Sequence, residues 1–264
     1  MSRTAPARAS TQPETRRHDR GTWKDRLYQA YVSTEQAGAD LSAKASFTLE
    51  QYPWFVALAR EHLRIDRSAR IVDLGCGHGA LVFCLKALGF SNVSGVDLSQ
   101  EQIDLGRRLG VNEISRDDIF HYLEGQHATL DAALLLDVLE HMDKSEVLDL
   151  LDLVHRALKP GGRLILHVPN AEGVFGMRIR YGDFTHENCF TERSIAQVLR
   201  ASGFSRISVH EEQPSVHGLK SFLRHMLWRS LTLPLRFLLL VETGSARCVL
   251  SQNLLVVAHK PPSF

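Results

Sequence analysis

The segment that most constrains the fold is a short apolar run that breaks into three closely spaced glycines. Ile71–Leu74 has the length of a buried strand, residues 75–79 read Gly-Cys-Gly-His-Gly (the glycine loop), and residues 80–88 resume as an apolar helix. Glycine tolerates positive φ angles and lets a ligand approach the backbone, and the start of a helix offers unpaired N–H groups. A strand, a glycine-rich turn and a helix in this order predict a site for a nucleoside-containing cofactor.

Strand-length apolar runs alternate with amphipathic stretches along the chain. This alternation predicts an α/β fold of the Rossmann-like, doubly wound type with a mostly parallel sheet. The last apolar run, residues 253–259, is expected to pair antiparallel with the strand that precedes it, residues 207–210. The predicted strands are 71–74, 92–97, 113–115, 130–137, 163–168, 207–210 and 253–259, and the predicted helices between them are 80–88, one that starts at Ser99, 144–158 and 191–201.

Three regions are expected in the chain. Residues 1–21 carry prolines and scattered charge without periodicity, which predicts a disordered tail, with an organellar transit peptide as the alternative. Residues 22–66 are predicted to form an N-terminal helical cap with helices at 23–32 and 53–63; the alternative is that they only cover one face of the sheet. Residues 67–264 form the predicted cofactor-binding domain.

A helical insertion is predicted at about 212–250, before the last strand. Within 219–241, apolar residues recur at steps of three and four, and Pro234 is expected to interrupt the helix. The charged residues and this proline argue against a membrane-spanning helix. A basic amphipathic helix can instead lie on an anionic membrane surface. Peripheral contact with the inner face of a membrane, a homodimer interface and packing on the sheet all stay open for this segment.

The charge balance argues against nucleic acid as a partner. The formal net charge is +1, and the first twenty residues contribute +3 (five Arg minus Glu14 and Asp19), which leaves about −2 for the remainder. Binding a phosphate backbone requires a basic surface. The four cysteines show no C-x-x-C spacing, so we expect reduced thiols and no metal site. The N-terminus shows no apolar leader, and we expect a cytoplasmic protein.

Acidic and amide side chains follow several predicted strands. Asp97 ends the second strand eighteen residues after Gly79, where a carboxylate can accept both hydroxyls of a ribose. Asp118 follows the third strand and is expected to face an adenine amino group, or else to cap the next helix. Because ligands bind at the carboxyl ends of parallel strands, these acids, residues 137–141 and Asn170 are expected to share one rim.

Two nucleotide chemistries are compatible with the glycine loop. Dinucleotide sites use G-x-G-x-x-G, whose helix meets a pyrophosphate, whereas this chain has the tighter G-x-G-x-G. A nucleoside without phosphates needs the close backbone approach but no anion site. An NAD-type nucleotide-binding protein therefore stays open as the alternative.

Five motifs in the appropriate order and spacing make the sequence similar to class I S-adenosylmethionine-dependent methyltransferases. The resemblance covers about residues 71–260 and implies a seven-stranded sheet with a reversed last strand and S-adenosyl-L-methionine as the cofactor. It also implies Asp97 on the ribose, Asp118 near the adenine and the glycine loop beside the methionine part. The motifs are the glycine loop, 95–99 (Gly-Val-Asp-Leu-Ser), 137–141 (Asp-Val-Leu-Glu-His), 158–162 (Leu-Lys-Pro-Gly-Gly) and 168–170 (Val-Pro-Asn). The cofactor-binding residues that it implies are Asp73, Gly75, Cys76, Gly77, Gly79, Asp97, Leu98, Asp118, Ile119, Asp137 and Val138.

One further motif and two residue pairs within the motifs above indicate the type of acceptor. Residues 181–187 (Tyr-Gly-Asp-Phe-Thr-His-Glu) resemble small-molecule methyltransferases of polysaccharide and natural-product biosynthesis. The pairs 140–141 (Glu-His) and 169–170 (Pro-Asn) are similar to quinone O-methyltransferases. The expected reaction is therefore O-methylation of a sugar, a phenol or a related metabolite. A protein that binds S-adenosylmethionine without catalysis is the alternative.

Histidines near the predicted rim are the candidate catalytic residues. Methyl transfer from a sulfonium requires alignment of acceptor, methyl group and sulfur, and a hydroxyl acceptor also has to lose a proton to a base. The expected base is His186, with its ring oriented by Asp183 or Glu187. His141 is the second candidate.

Overall fold

The computed structural model of the chain describes Leu27, residues 46–213 and residues 218–262. The predicted tail at 1–21 and a predicted helix at 23–32 lie outside the described residues, apart from Leu27. Of the predicted cap, the structure describes a 3-10 turn at Leu49–Gln51 and helix α1 at Pro53–His62. Helix α1 matches the helix expected at 53–63 and begins with a proline in its first turn, a position where no backbone donor is lost.

One seven-stranded sheet forms the centre of the described structure. Its strands are β1 (Ile71–Leu74), β2 (Val93–Asp97), β3 (Ile114–Arg116), β4 (Leu130–Leu136), β5 (Leu158–Pro169), β6 (Ser205–Glu211) and β7 (Asn253–His259). The order in the sheet is β3-β2-β1-β4-β5-β7-β6. Neighbours are parallel from β3 to β5, whereas β7 runs antiparallel to β5 and β6. The predicted Rossmann-like sheet with a reversed last strand is confirmed.

Helices cover both faces of this sheet. Besides α1, the described α-helices are α2 (Ala80–Ala87), α3 (Gln100–Arg108), α4 (Ile119–Glu124), α5 (Lys144–Ala157), α6 (Gly176–Arg180), α7 (Glu192–Ala201) and α8 (Leu219–Thr243). Helices α1 to α3 contribute to one buried apolar cluster, and α4, α5 and α7 contribute to the other. Successive strand side chains point to opposite faces, so Ile71 belongs to one cluster and Val72 to the other. This double burial explains why the parallel strands are almost continuously apolar.

Several strand boundaries differ from the prediction, and two of these differences follow from local pairing. Strand β5 begins at Leu158, not at residue 163, since Leu158 pairs with Leu130 before the register shifts. Gly161, at a φ of 79°, lies inside the irregular segment that follows. Strand β3 lies one residue later than expected, where its residues pair with the end of β2.

The insertion before β7 contains one continuous helix, α8, and the predicted interruption at Pro234 is wrong. Proline removes one backbone donor from a helix, but the strongly apolar helix-forming stretches on either side of Pro234 continue through it. Arg236 ties the helix to the sheet: its guanidinium donates to both carboxylate oxygens of Glu211, at 2.8 and 2.9 Å, and to the carbonyl oxygen of Cys248 at 2.6 Å.

The outer side of α8 is apolar and exposed within the described structure. None of the described helices is long and apolar enough to cross a membrane. Contact of 219–241 with a membrane surface or with a second subunit stays a prediction. The exposed apolar residues of the predicted face are Leu219, Phe222, Leu223, Met226, Leu227 and Leu231.

Candidate active site

The glycine loop connects β1 to α2 and needs its glycines for their backbone angles. Gly75, Gly77 and Gly79 have φ values of 79°, 52° and 81°, in the left-handed region that side chains disfavour. The carbonyl oxygen of Val96 accepts the N–H groups of residues 75 and 76 at 2.8 and 3.0 Å. A Cβ on Gly75 would lie 2.6 Å from Cγ2 of Val138. The loop is therefore fastened to β2 and closed on one side by Val138, which follows β4.

Asp97 holds the loop in place from the end of β2. Its Oδ2 accepts the N–H of Gly77 at 2.8 Å, and its Oδ1 accepts the N–H of Ser99 at 2.8 Å. Ser99 in turn caps α3, as its Oγ accepts the N–H of Gln102 at 3.4 Å. Burial raises the pKa of Asp97, and the two backbone hydrogen bonds oppose that rise. Each carboxylate oxygen has a second lone pair, so Asp97 retains acceptor capacity for a ligand.

A second acid, Asp73, is buried in β1 at the base of the loop. Burial and the nearby charge of Asp97 raise the pKa of Asp73 to about 7. Burial also raises the pKa of the Cys76 thiol, so this loop residue is an uncharged thiol at neutral pH. In their ionised forms, the two acids beside the loop attract a cation and repel a pyrophosphate. A nucleoside that carries a sulfonium and an ammonium group fits this environment better than a dinucleotide does.

The residues expected near an adenine lie where β2 and β3 end. Asp118 is exposed, and its Oδ1 accepts the N–H groups of Phe120 and His121 at 2.9 and 3.2 Å. The capping role that the sequence left as an alternative is thus present. Leu98, just after Asp97, leaves 52% of its surface exposed, and Ile119 is partly buried against the core.

The sequence analysis missed two residues of α3 that pack against the glycine loop. Gln102 is buried with its Oε1 unpartnered among the described residues, and that atom is 3.8 Å from the position of a Cβ on Gly77. Gly106 lies so close that a Cβ there would be 2.4 Å from the carbonyl oxygen of His78. A glycine inside an amphipathic helix is the signal that could have indicated this close approach.

A charged cluster lies at the end of β4, next to Val138. Asp137 has a positive φ of 57°, and its Oδ1 is 2.6 Å from Nδ1 of His167 in β5. On the other side of the ring, Nε2 is 3.0 Å from Oε1 of Glu212. Burial disfavours the charged ring, but the two carboxylates raise the pKa of His167 well above its usual value. The ring of Trp54 in α1 meets the imidazole edge-on at 5.0 Å between centroids.

The predicted catalytic residues converge on one place. The rings of His141 and His186 are 4.7 Å apart between centroids. His186 is oriented through Nδ1, which is 2.9 Å from the carbonyl oxygen of Ile179. Asp183 contacts Thr185, whose Oγ1 and N–H donate to Oδ1 of Asp183 at 2.6 and 2.8 Å.

His141 is the ring that this Asp183 network orients. Its Nδ1 is 2.8 Å from Oγ1 of Thr185. Although burial opposes it, the hydrogen bonds from Thr185 hold the pKa of Asp183 below its usual value. The backbone carbonyl of Ile179 thus supplies the contact to His186 that the sequence analysis expected from Asp183 or Glu187.

Asn170 lies at the predicted rim but has a structural role. Its side chain is fully buried. Its Nδ2 donates to the carbonyl oxygens of Val249 and Ser251, both at 2.8 Å, and its Oδ1 accepts the N–H of Glu172 at 3.0 Å. Asn170 thereby fixes the turn that leads from β5 towards α6.

A class I methyltransferase fold with a nucleoside site is defined by the order of the strands, the glycine loop and Asp97 at the end of β2. Comparison with known proteins agrees with this class. The model of a family described as "Methyltransferase domain" matches residues 49–209. A solved S-adenosylmethionine-dependent methyltransferase from Archaeoglobus fulgidus has a TM-score of 0.62 at 18% identity, with 87% of this chain and 99% of that chain covered.

Curated relatives match a smaller part of the chain. The ubiquinone biosynthesis O-methyltransferase of Xylella fastidiosa is 34% identical over 107 residues, which cover 39% of this chain and 42% of that protein. An uncharacterized 37.1 kDa protein in a transposon of Streptomyces fradiae is 32% identical over 135 residues, which cover 49% of this chain and 37% of that protein. The matched part thus spans less than half the length of either relative.

The chain belongs to this methyltransferase-domain family, because the family model matches more than half of its length. The prediction of a class I S-adenosylmethionine-dependent methyltransferase is confirmed, and S-adenosyl-L-methionine is the cofactor of that class.

Proposed function

We propose that this chain transfers the methyl group of S-adenosylmethionine to a hydroxyl oxygen of a small-molecule acceptor, such as a phenol or a sugar. One observation carries the proposal: the rings of His141 and His186 are 4.7 Å apart, and His141 follows β4 a few residues after Val138, which closes the glycine loop. Side chains that can handle a proton thus adjoin the cofactor site. Methylation of a hydroxyl group needs a base to take the hydroxyl proton, whereas methylation of an acceptor that is already deprotonated does not.

On this proposal the glycine loop, Asp97 and Asp73 hold the methyl donor. The loop backbone adjoins the methionine part, and the carboxylate of Asp97 accepts from the ribose hydroxyls. The negative charge of Asp97, and that of Asp73 in its ionised form, favours the cationic donor over the neutral sulfide product. Leu98 and Ile119 supply apolar surface for the adenine, beside the helix that Asp118 caps.

The chemical step is an in-line displacement at the methyl carbon. The acceptor oxygen forms a bond to this carbon as the carbon–sulfur bond breaks, and S-adenosylhomocysteine leaves with the electron pair. The acceptor proton passes to a base, for which His186 is the first candidate and His141 the second. Phenolic acceptors are also supported by the relatives named ubiquinone biosynthesis O-methyltransferases.

An acceptor screen tests this proposal. The full chain is incubated with donor labelled in the methyl group and with separate panels of phenols, sugars, carboxylates and amines. We expect label in the phenol or sugar panel, together with S-adenosylhomocysteine. Calorimetric binding of S-adenosylhomocysteine without turnover in any panel would favour the non-catalytic alternative, and binding of NAD in its place would favour the dinucleotide alternative.

Two histidine variants test whether His186 acts as the base. His186→Ala is expected to reduce turnover at least ~100-fold, a typical contribution of a positioned acid or base, with unchanged affinity for S-adenosylhomocysteine. His127→Ala is the matched control, because His127 is exposed in the loop before β4. Equal turnover of His186→Ala and the wild-type protein would contradict the proposed base.

A further inference from the structure

Glu140, His141 and His186 form a cluster with the composition of a metal site. One potential ligand atom from each residue lies within 4.8 Å of those of the other two. Two chain segments are joined here, since the carbonyl oxygen of Glu140 accepts the N–H groups of Glu187 and Asn188 at 2.6 and 3.0 Å. The cluster is therefore built by backbone contacts and does not depend on flexible surface side chains.

Within the described part of the chain, one carboxylate oxygen of Glu140 lacks a hydrogen-bond partner. The residue is 1% exposed, and Oε2 makes no hydrogen bond with the described residues. A buried carboxylate is costly unless it is neutralised or paired with a cation. An ion between Glu140 and the two imidazoles would provide that pairing.

Hydrogen bonds orient both histidines as they are oriented in metal sites. Nδ1 of His186 faces a backbone carbonyl, which can only accept, so Nδ1 carries the proton. The hydroxyl of Thr185 gives its proton to Asp183, and it therefore accepts from Nδ1 of His141. In the neutral rings Nε2 is then the unprotonated nitrogen. Histidine ligands typically donate their second N–H to a carbonyl or to a carboxylate-linked group in this way.

We propose that Glu140, His141 and His186 bind a divalent transition-metal ion that also binds the acceptor hydroxyl. Two imidazoles and one carboxylate suit Zn²⁺, Mn²⁺ or Co²⁺, whereas Mg²⁺ and Ca²⁺ prefer sets of oxygen ligands. Metal–ligand distances of about 2.0–2.2 Å place tetrahedral ligand atoms about 3.4 Å apart, so a small contraction of the cluster suffices. Three protein ligands leave open positions for a substrate oxygen, as in catalytic metal sites.

The ion deepens the proposed function, on which its role in catalysis rests. Binding to a cation lowers the pKa of a hydroxyl, so the acceptor loses its proton to solvent at neutral pH. Its oxygen then attacks the methyl carbon, and the carbon–sulfur electron pair stays on the sulfide. In this account His186 is a ligand of the ion and does not itself take the acceptor proton.

Metal binding can be measured on the full chain without any methyl acceptor. Protein treated with EDTA and then desalted is titrated with Co²⁺, and its visible absorption reports nitrogen and oxygen coordination. We expect one equivalent to bind and Zn²⁺ to displace it. Glu140→Gln and His186→Gln are expected to weaken binding at least 100-fold, and Thr185→Val about 10- to 100-fold through the orientation of His141. His127→Gln is the matched control and should bind as the wild type does.

Folding is monitored by circular dichroism and by the affinity for S-adenosylhomocysteine. If Glu140→Gln does not fold, His186→Gln and Thr185→Val still decide the question. A folded wild-type protein that binds S-adenosylhomocysteine but no stoichiometric Co²⁺ or Zn²⁺ overturns the metal site, as does binding that all three variants leave unchanged. Metal binding without methyl transfer in the acceptor screen would instead refute the proposed function alone.

Discussion

Gly106→Ala is predicted to disturb the cofactor loop from the adjacent helix. A Cβ on Gly106 would lie 2.4 Å from the carbonyl oxygen of His78 and 2.4 Å from Cδ1 of Ile114. Ordinary contact begins near 3.4 Å, so α3 or the loop backbone would have to move by about 1 Å. Overpacking of this kind costs about 1–3 kcal/mol, and the better helix propensity of alanine offsets at most about 1 kcal/mol. We expect a net loss of about 1–2 kcal/mol in the free energy of unfolding.

Two measurements on Gly106→Ala test this prediction: the Tm of thermal unfolding and the affinity for S-adenosylhomocysteine. A loss of this size lowers the Tm of a chain of this length by roughly 2–8 °C, and displacement of the loop should weaken binding of S-adenosylhomocysteine at least 10-fold by calorimetry. Gly125→Ala is the matched control: its Cβ would meet nothing closer than 3.8 Å, at a φ of −79°. The reasoning is refuted if Gly106→Ala matches the control in both Tm and affinity.

Three further variants test the site and its support. Asp97→Asn should weaken the binding of S-adenosylhomocysteine at least ~30-fold by calorimetry. The amide oxygen replaces only one of the two carboxylate acceptors for the backbone N–H groups, and the charge-assisted hydrogen bonds to the ligand are lost. Equal affinity of the variant and the wild type would contradict the assignment of Asp97 to the ribose. His167→Gln should be less stable than the wild type below pH 6.5, because the protonated ring of His167 stabilises the fold; the difference should shrink as the pH rises through the elevated pKa of folded His167. Urea unfolding at several pH values measures this difference, and a difference that does not change with pH would contradict the prediction. Asn170→Ala should cost about 3 kcal/mol or more in urea unfolding, because it leaves two buried carbonyls and one N–H without partners, and a loss below 1 kcal/mol would be inconsistent with its network.

Local sequence patterns were sufficient for the elements around the glycine loop. An apolar strand, glycines that need positive φ and an apolar helix are each encoded within a few residues, so β1, the loop and α2 follow from the sequence. Ser99 and its cap on α3 were predictable for the same reason. The apolar run of β7 was predictable as a strand, whereas its reversed direction was implied by the family resemblance and its position between β5 and β6 depends on long-range pairing.

Contacts between distant segments were not predictable in the same way. The sequence indicated His186, His141 and Asp183 as chemically relevant, but not that Asp183 reaches His141 through Thr185. Glu140 was noted only as part of a motif, because its burial and unpartnered oxygen arise from the packing of another loop. The helix through Pro234 shows that a local rule can be outweighed by the helix-forming residues around it.

The position of β7 has a consequence for how the chain assembles. Among the described strands, β6 pairs only with β7, and β7 separates it from β5. Until residues 253–259 emerge from the ribosome, β6 has no neighbour and the edge of β5 is open to unwanted partners. The described sheet is therefore completed only after synthesis of its last strand.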